Sequence, residues 1–211
     1  MSTHRPTERD DGGIHLSRDE LGCLVALLPE QAGRELAEAL ALQYQNPSDV
    51  QEPAFASLLE REFISIDDET VSTNGPAHSV LVAMLDSTSR LDWACGGGEL
   101  PAFTKVFFHP VMSVVVTLEE AGARYVQGIK PNATPVALAD AFLTAYEQYA
   151  GDEAELQVTA VRSADRATRT VNAVRADGRW EAARAEGDAP LKVTDVTDRA
   201  ALLDLISKFL G

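Results

Sequence analysis

The sequence is short of the residues from which most catalytic and metal sites are built, with only four histidines and two cysteines among its 211 residues. His4, His15, His78 and His109 each lie outside the three-to-five-residue spacing that brings a His beside another His or a Cys, so no metal site is expected. There is no G-x-S-x-G elbow to present a serine nucleophile. The run Cys95-Gly96-Gly97-Gly98 is not followed by a helix carrying Lys-Ser or Lys-Thr, which excludes a phosphate-binding loop of the usual kind. Basic charge is scarce as well: 18 Lys+Arg stand against 33 Asp+Glu, a formal net charge of -15. That balance opposes binding to nucleic acid or anionic lipid through a positive surface. Apolar runs such as Val111 to Leu118 are interrupted and far shorter than the roughly 20 residues that span a bilayer. Met1 to Gly13 has no apolar stretch of the kind a secretory signal requires, which gives a cytoplasmic expectation.

What is present is the composition of a folded protein, 45% hydrophobic and 24% charged. Residues 1–13 are polar and read as a disordered lead. Ser17 and Glu20 form a capping box, and Leu16 with Leu21 form a hydrophobic staple, opening a helix whose stripe is Leu21, Leu24, Val25 and Leu28. Pro29 ends it. A second helix is expected from Glu30 to about Tyr44, and a third beyond Pro53 with Phe55, Leu58, Leu59 and Phe63. Ile64 to Val71 reads as a ribbon around the acidic turn Asp67-Asp68-Glu69, and a further helix buries Val80, Leu81, Met84 and Leu85. The glycines at 96–98 mark a linker or wide turn. Residues 14–95 are thus expected to form a helical subdomain with a small β-ribbon, and residues 99–211 an antiparallel sheet with two helices.

In that second part, strands at Thr104 to Phe108, Met112 to Leu118 and Ala123 to Ile129 precede a helix capped by Thr134. Strands at Leu156 to Arg162, Thr168 to Arg175 and Arg179 to Ala185 then precede a helix capped by Thr197. The order predicts a duplicated strands-then-helix unit in an α+β fold, a helical N-terminal part packed on a mostly antiparallel sheet. A two-residue Asp177-Gly178 hairpin loop sets Arg175 opposite Trp180 and Val171 opposite Arg184.

Two features stand out as candidates for function. Charge is segregated: residues 14–93 hold fourteen acids against Arg18, Arg34, Arg61 and Arg90, with no lysine. Arginines collect instead around the second hairpin, where Arg162, Arg166, Arg169, Arg175, Arg179 and Arg184 with Trp180 have the composition of an interface anchor. A solvated sheet face balanced by the acidic helices is the plainer reading of the same residues. On the closing helix, Leu202, Leu205, Ile206 and Phe209 make the core stripe, while Leu203 and Leu210 widen the apolar surface toward a neighbouring helix or a partner. Cys23 reads as a buried thiol; Cys95 beside Trp93 offers an exposed one only if the glycine run forms an open loop. No catalytic, cofactor-binding or metal-binding residue is assigned.

The chain resembles the EspG family, cytoplasmic chaperones of type VII (ESX) secretion in actinobacteria. The likeness is carried by Ser17-Arg18-Asp19-Glu20-Leu21, by Leu58-Leu59-Glu60-Arg61 leading into the Ile64 ribbon, and by Asp177-Gly178-Arg179-Trp180 followed by Val193 and the helix Ala200 to Leu210. It implies an α+β fold with an internal duplication and a non-enzymatic protein that holds a helical secretion substrate. No substrate-binding residue carries over. The expected function is therefore non-catalytic protein binding, with no cofactor, no nucleic acid and no membrane insertion, and with a homo-oligomer left open. A ligand-sensing domain with a small-molecule pocket in the second-half sheet is the alternative, and an enzyme of unrecognised class a third.

Overall fold

A computed structural model describes residues 13–96, 102–118, 124–129, 134–147, 154–196 and 198–210. The fold is α+β, and within each of its two compact units the strands pair antiparallel. One unit joins Met1–Asp86 to His109–Ile129; the other joins Ser87–Phe108 to Lys130–Gly211. This division does not follow the glycines at 96–98. Strands β4 (Ser89–Gly96) and β5 (Ala102–Phe108) on either side of them pair with one another, so the run connects a hairpin whose turn lies outside the described residues.

In the first unit, β1 (Ile14–Leu16) pairs with β7 (Arg124–Ile129), which pairs with β6 (Ser113–Leu118). The strand β1 arises inside the stretch read only as a helix entry. Residues 1–12 of the expected lead are outside the described residues, but Gly13 is buried against the Tyr125 ring so tightly that a Cβ would overlap it. Helix α1 (Arg18–Ala26) opens on the expected capping box, Ser17 Oγ accepting from the Glu20 backbone N–H and the Glu20 carboxylate from that of Ser17. Helices α2 (Glu30–Ala39) and α3 (Glu52–Glu60) pack on α1. A short 3-10 turn at Pro47–Asp49 separates them. Helix α4 (Gly75–Leu85) lies against β6 and β7, and β2 (Ile64–Asp67) with β3 (Thr70–Thr73) form the expected ribbon.

Helix α2 stops five residues before Tyr44 because Ala41 takes a left-handed conformation, φ 54°. The N–H of Leu42 then reaches back to the carbonyl of Ala37, and that of Ala41 to Glu38. The same closure ends α3 through Glu62, φ 59°, with Phe63 bonded to Leu58. Leu85, expected in the core, is 37% exposed.

Glu20 is the first unit's buried charge, 7% exposed. Its Oε1 accepts from Ser57 Oγ at 2.7 Å and Arg61 Nη1 at 3.0 Å on α3, and its Oε2 accepts from the Ser17 N–H at 2.6 Å. Arg61 Nη2 donates to the His15 carbonyl at 2.7 Å, so one carboxylate ties β1, α1 and α3 together. Burial acts to raise its pKa, but the Ser17 backbone bond, the Ser57 hydroxyl and the Arg61 guanidinium outweigh it and hold the carboxyl below the ordinary 4.5.

In the second unit the strand order is β5-β4-β8-β9-β10-β11, with β8 (Ala154–Arg162), β9 (Thr168–Ala176), β10 (Arg179–Glu186) and β11 (Lys192–Asp195). Helices α5 (Pro135–Glu147) and α6 (Arg199–Leu210) pack on each other, and α6 lies on β8, β9 and β10. Thr134 Oγ1 caps α5 as expected. The cap of α6 is Asp198 rather than Thr197, its carboxylate accepting from the Ala201 N–H at 2.9 Å; Thr197 lies outside the described residues. In chain order, strands followed by a helix occur twice, at β5–α5 and β8–α6.

A depressed carboxyl stabilises the fold above its unfolded pKa, and that stability is lost as pH falls through the folded value. Glu20→Gln is therefore expected to cost about 2 kcal/mol at pH 7, below the buried-pair range because Arg61 is partly solvated. It is also expected to shrink the loss of stability below pH 4.5, as read by urea unfolding across pH. Glu62→Gly relieves a left-handed non-glycine residue, and thermal unfolding is expected to show a gain of about 1 kcal/mol.

Candidate protein-binding surface

Side chains along the second unit's strands alternate between two faces, and cross-strand register fixes which residues share each. One face is apolar and carries the helices: Leu91, Trp93 and Cys95 of β4 are registered with Ala160, Val158 and Leu156 of β8, and Val158 and Leu156 with Val171 and Ala173 of β9. Leu143 of α5 and Leu202 and Ile206 of α6 are fully buried, and the Trp93 ring meets Phe142 with centroids 5.7 Å apart. The opposite face is a plain of small and polar residues. Gln157 donates to Asn172 at 3.0 Å, Thr159 and Thr170 hydroxyls lie 3.0 Å apart, and Asp92 pairs with Arg90 at 2.7 Å and Lys105 at 3.1 Å. Phe103 (44% exposed) and Val193 (81%) sit at opposite ends of one row of this face, with Val174 in the next.

The hairpin register is the expected one, Arg175 opposite Trp180 and Arg184 opposite Val171. It does not gather the arginines into one surface. Arg162 lies at the end of β8 bonded to Asp165, and Arg166 occupies the turn that follows, φ 54°. Arg169 pairs with Glu186 at 3.0 Å and donates to the Phe209 carbonyl at the end of α6, while Arg169 and Arg184 both lie over the Phe209 ring. At the other end of the sheet, Arg175 reaches Glu147 of α5 at 3.9 Å, and the same carboxylate accepts from Arg199 of α6 at 3.1 Å. Arg199 also binds Asp140, so it clamps α6 to α5. Arg179 is exposed at the hairpin.

Trp180 is 2% exposed and belongs to the core under the helices, so it is not a surface anchor. The sequence alone left its face undecided, because the helix that covers it starts some twenty residues later. Leu203 is half-buried one helical turn beyond Arg199, on the flank of α6 that Arg199 turns toward α5. The Leu210 side chain lies outside the described residues. The sequence places Phe209 in the core stripe of the closing helix and Arg184 among the hairpin arginines; that the two side chains meet, and that Glu147 joins Arg175 to Arg199, rests on long-range contacts with no local signal.

Chemistry is sparse here. Burial pushes the Cys95 thiol up to about 11 against a bond from Trp93 Nε1–H, and burial with the nearby Glu20 carboxylate pushes Cys23 up to about 11. Both are buried, so the exposed reading of Cys95 is overturned. His109 Nδ1 accepts from the backbone N–H groups of Val111 and Met112, and His78 is bonded to Thr73. Among the described residues no group of three His, Cys, Asp or Glu is placed to hold a metal ion. A groove of about 370 Å³ at the strand ends is lined by Leu91, Phe108, Ala160, Arg162, Arg169 and Glu186. Its three arginines, Arg90, Arg162 and Arg169, are each engaged by a carboxylate of this chain, so they do not converge on a ligand. No described helix is long and apolar enough to cross a membrane.

The class these features define is an α+β protein with a helix-covered antiparallel sheet. The particular likeness is to a chaperone. The fold matches the Mycobacterium tuberculosis type VII secretion system chaperone EspG5, solved in complex with the PE25-PPE41 dimer, with a TM-score of 0.65 at 10% identity over 94% of this chain and 95% of that one. The resemblance read from the sequence is thus present at the level of fold. No protein-family model and no curated protein matches the chain.

Trp180→Ala is expected to cost about 3–5 kcal/mol in denaturant unfolding through the cavity it opens, while Arg179→Ala stays within about 0.5 kcal/mol. A loss of similar size in both would remove the distinction between core and surface drawn for this hairpin.

Proposed function

We propose that this chain is a non-catalytic, cytoplasmic, chaperone-like protein that holds a helical type VII secretion substrate of the PE-PPE kind. The observation that carries the reading is the end-to-end agreement of its fold with a chaperone solved on a PE-PPE dimer. It is supported by the raised thiol pKa values, which leave neither cysteine as an activated nucleophile, and by surfaces built from paired charges around apolar side chains. Of the arginines singled out in the sequence, Arg162, Arg166 and Arg179 are the proposed partner contacts, because they lie at the surface; Arg169 and Arg175 serve chiefly to fasten α6 and α5 to the sheet.

The test is affinity capture of the tagged full chain from its native cell with cross-linking and mass spectrometry. A stoichiometric complex with a helical secreted pair, weakened about tenfold or more by combined Arg162→Glu and Arg166→Glu at unchanged thermal stability, is the expected result. Recovery of the chain alone would overturn it. So would a complex untouched by the reversals, as far as the assigned contacts are concerned.

A further inference from the structure

Along the strands of the second unit most cations are answered by a carboxylate of the same chain. Arg90 and Lys105 reach Asp92, Arg162 reaches Asp165, Arg169 reaches Glu186 and Arg175 reaches Glu147. Beside the solitary Arg179 at the hairpin, Arg184 and Lys192 break the pattern. They stand directly opposite each other across β10 and β11, both exposed, and among the described residues no carboxylate pairs with either. Like charges facing each other across an antiparallel pair destabilise it. A lysine alone blunts an edge strand, but nothing in that role calls for an arginine beside it. Directly opposite residues of a ladder share a face, so the pair lies on the side of the sheet that carries the helices, in line with the buried Trp180 and Ala182. There the Arg184 guanidinium lies 5.3 Å from the centroid of the Phe209 ring of α6, and that of Arg169 at 5.9 Å. The ring restrains Arg184 by cation–π attraction. Glu186 neutralises Arg169, which leaves Arg184 and Lys192 as adjacent uncompensated positive charges in a chain of formal net charge -15.

We infer that Arg184 and Lys192 form a docking point for an acidic helix of a protein partner, one that carries Asp or Glu at positions i and i+4. Directly opposite side chains in a ladder have Cβ atoms about 5 Å apart, and carboxylates one helical turn apart have nearly the same spacing, about 5–6 Å. An extended segment spaces its same-face residues at about 7 Å and matches the pair less well. Docking supplies two charge-assisted contacts and removes the repulsion that the pair suffers alone. The inference rests on the charge pattern of this sheet and on no part of the chaperone reading, so either can fail without the other.

NMR titration of the full chain with alanine-rich helical peptides tests the pair, at roughly 0.15 M salt so that the chain's more distant acids are screened. A peptide with one Glu pair at i and i+4 is expected to bind with a Kd of about 1 mM or tighter. The same peptide with Gln at both positions is expected to bind about tenfold more weakly, and one with the Glu pair at i and i+2 about threefold. Lys192→Glu is expected to weaken the Glu-pair peptide about tenfold or more. Because that substitution gives Arg184 an opposite charge within the chain, thermal unfolding should show the fold unharmed or firmer while binding falls. Arg184→Glu combined with Lys192→Glu is expected to reverse the preference and bind the peptide with Lys in place of Glu. No binding of the Glu-pair peptide up to about 5 mM would overturn the inference. So would equal binding of either control peptide, a Lys192→Glu chain that binds as wild type does, a doubly reversed chain that does not prefer the Lys peptide, or inorganic phosphate bound more tightly than the Glu-pair peptide.

Discussion

Burial of Leu91, Trp93 and Cys95 along β4 is the constraint from which the second unit follows. β4 is paired on both sides, to β5 and to β8, so whichever face takes its three apolar side chains fixes the facing of both neighbours. The pleat then carries the choice outward through β9 to Trp180 and Ala182 on β10, and the helices must cover that face. A one-residue slip in β4 would bring Asp92 under α5 and α6 in place of Trp93. The interior tolerates no such exchange, since an unpaired carboxylate there costs far more than the packing gained.

Charge follows the same division between what must be settled inside and what is left to solvent. Glu20 is tolerated in the first unit because hydroxyl, backbone and guanidinium partners occupy both of its oxygens. In the second unit, Arg169, Arg175 and Arg199 reach the ends of α5 and α6, where a cation meets carbonyl groups and carboxylates together. An arginine-rich hairpin in an acidic protein thus divides its labour. Part of it fastens helices, and part remains at the two ends of the sheet.

Elsewhere burial pushes both thiols up to about 11, and His78 and His109 are engaged in hydroxyl and turn contacts. The likeness to a secretion chaperone solved with a PE-PPE dimer is one of fold, and fold alone does not fix a role.

Much was legible in the chain because its signals are local. The capping box at Ser17 and Glu20, the Thr134 cap and the Asp177-Gly178 hairpin with its register each rest on residues within a few positions of one another. The acidic balance and the poverty in histidine and cysteine likewise bounded the chemistry directly. What the tertiary structure decided was everything that depends on long-range contact. The glycines at 96–98 signal a turn, but the sequence reading places no strand before them, and only pairing with β5 and β8 makes Leu91, Trp93 and Cys95 one buried row of a strand. Ala41 ends α2 through a left-handed residue that helix propensity does not foresee. Trp180 and the arginines share one short stretch of sequence, yet the sheet's two faces and the arrival of α5 and α6 separate a buried ring from exposed guanidinium groups. A side chain's type and spacing are properties of the chain; whether it meets solvent is a property of what packs against it, and that is set by segments distant in sequence.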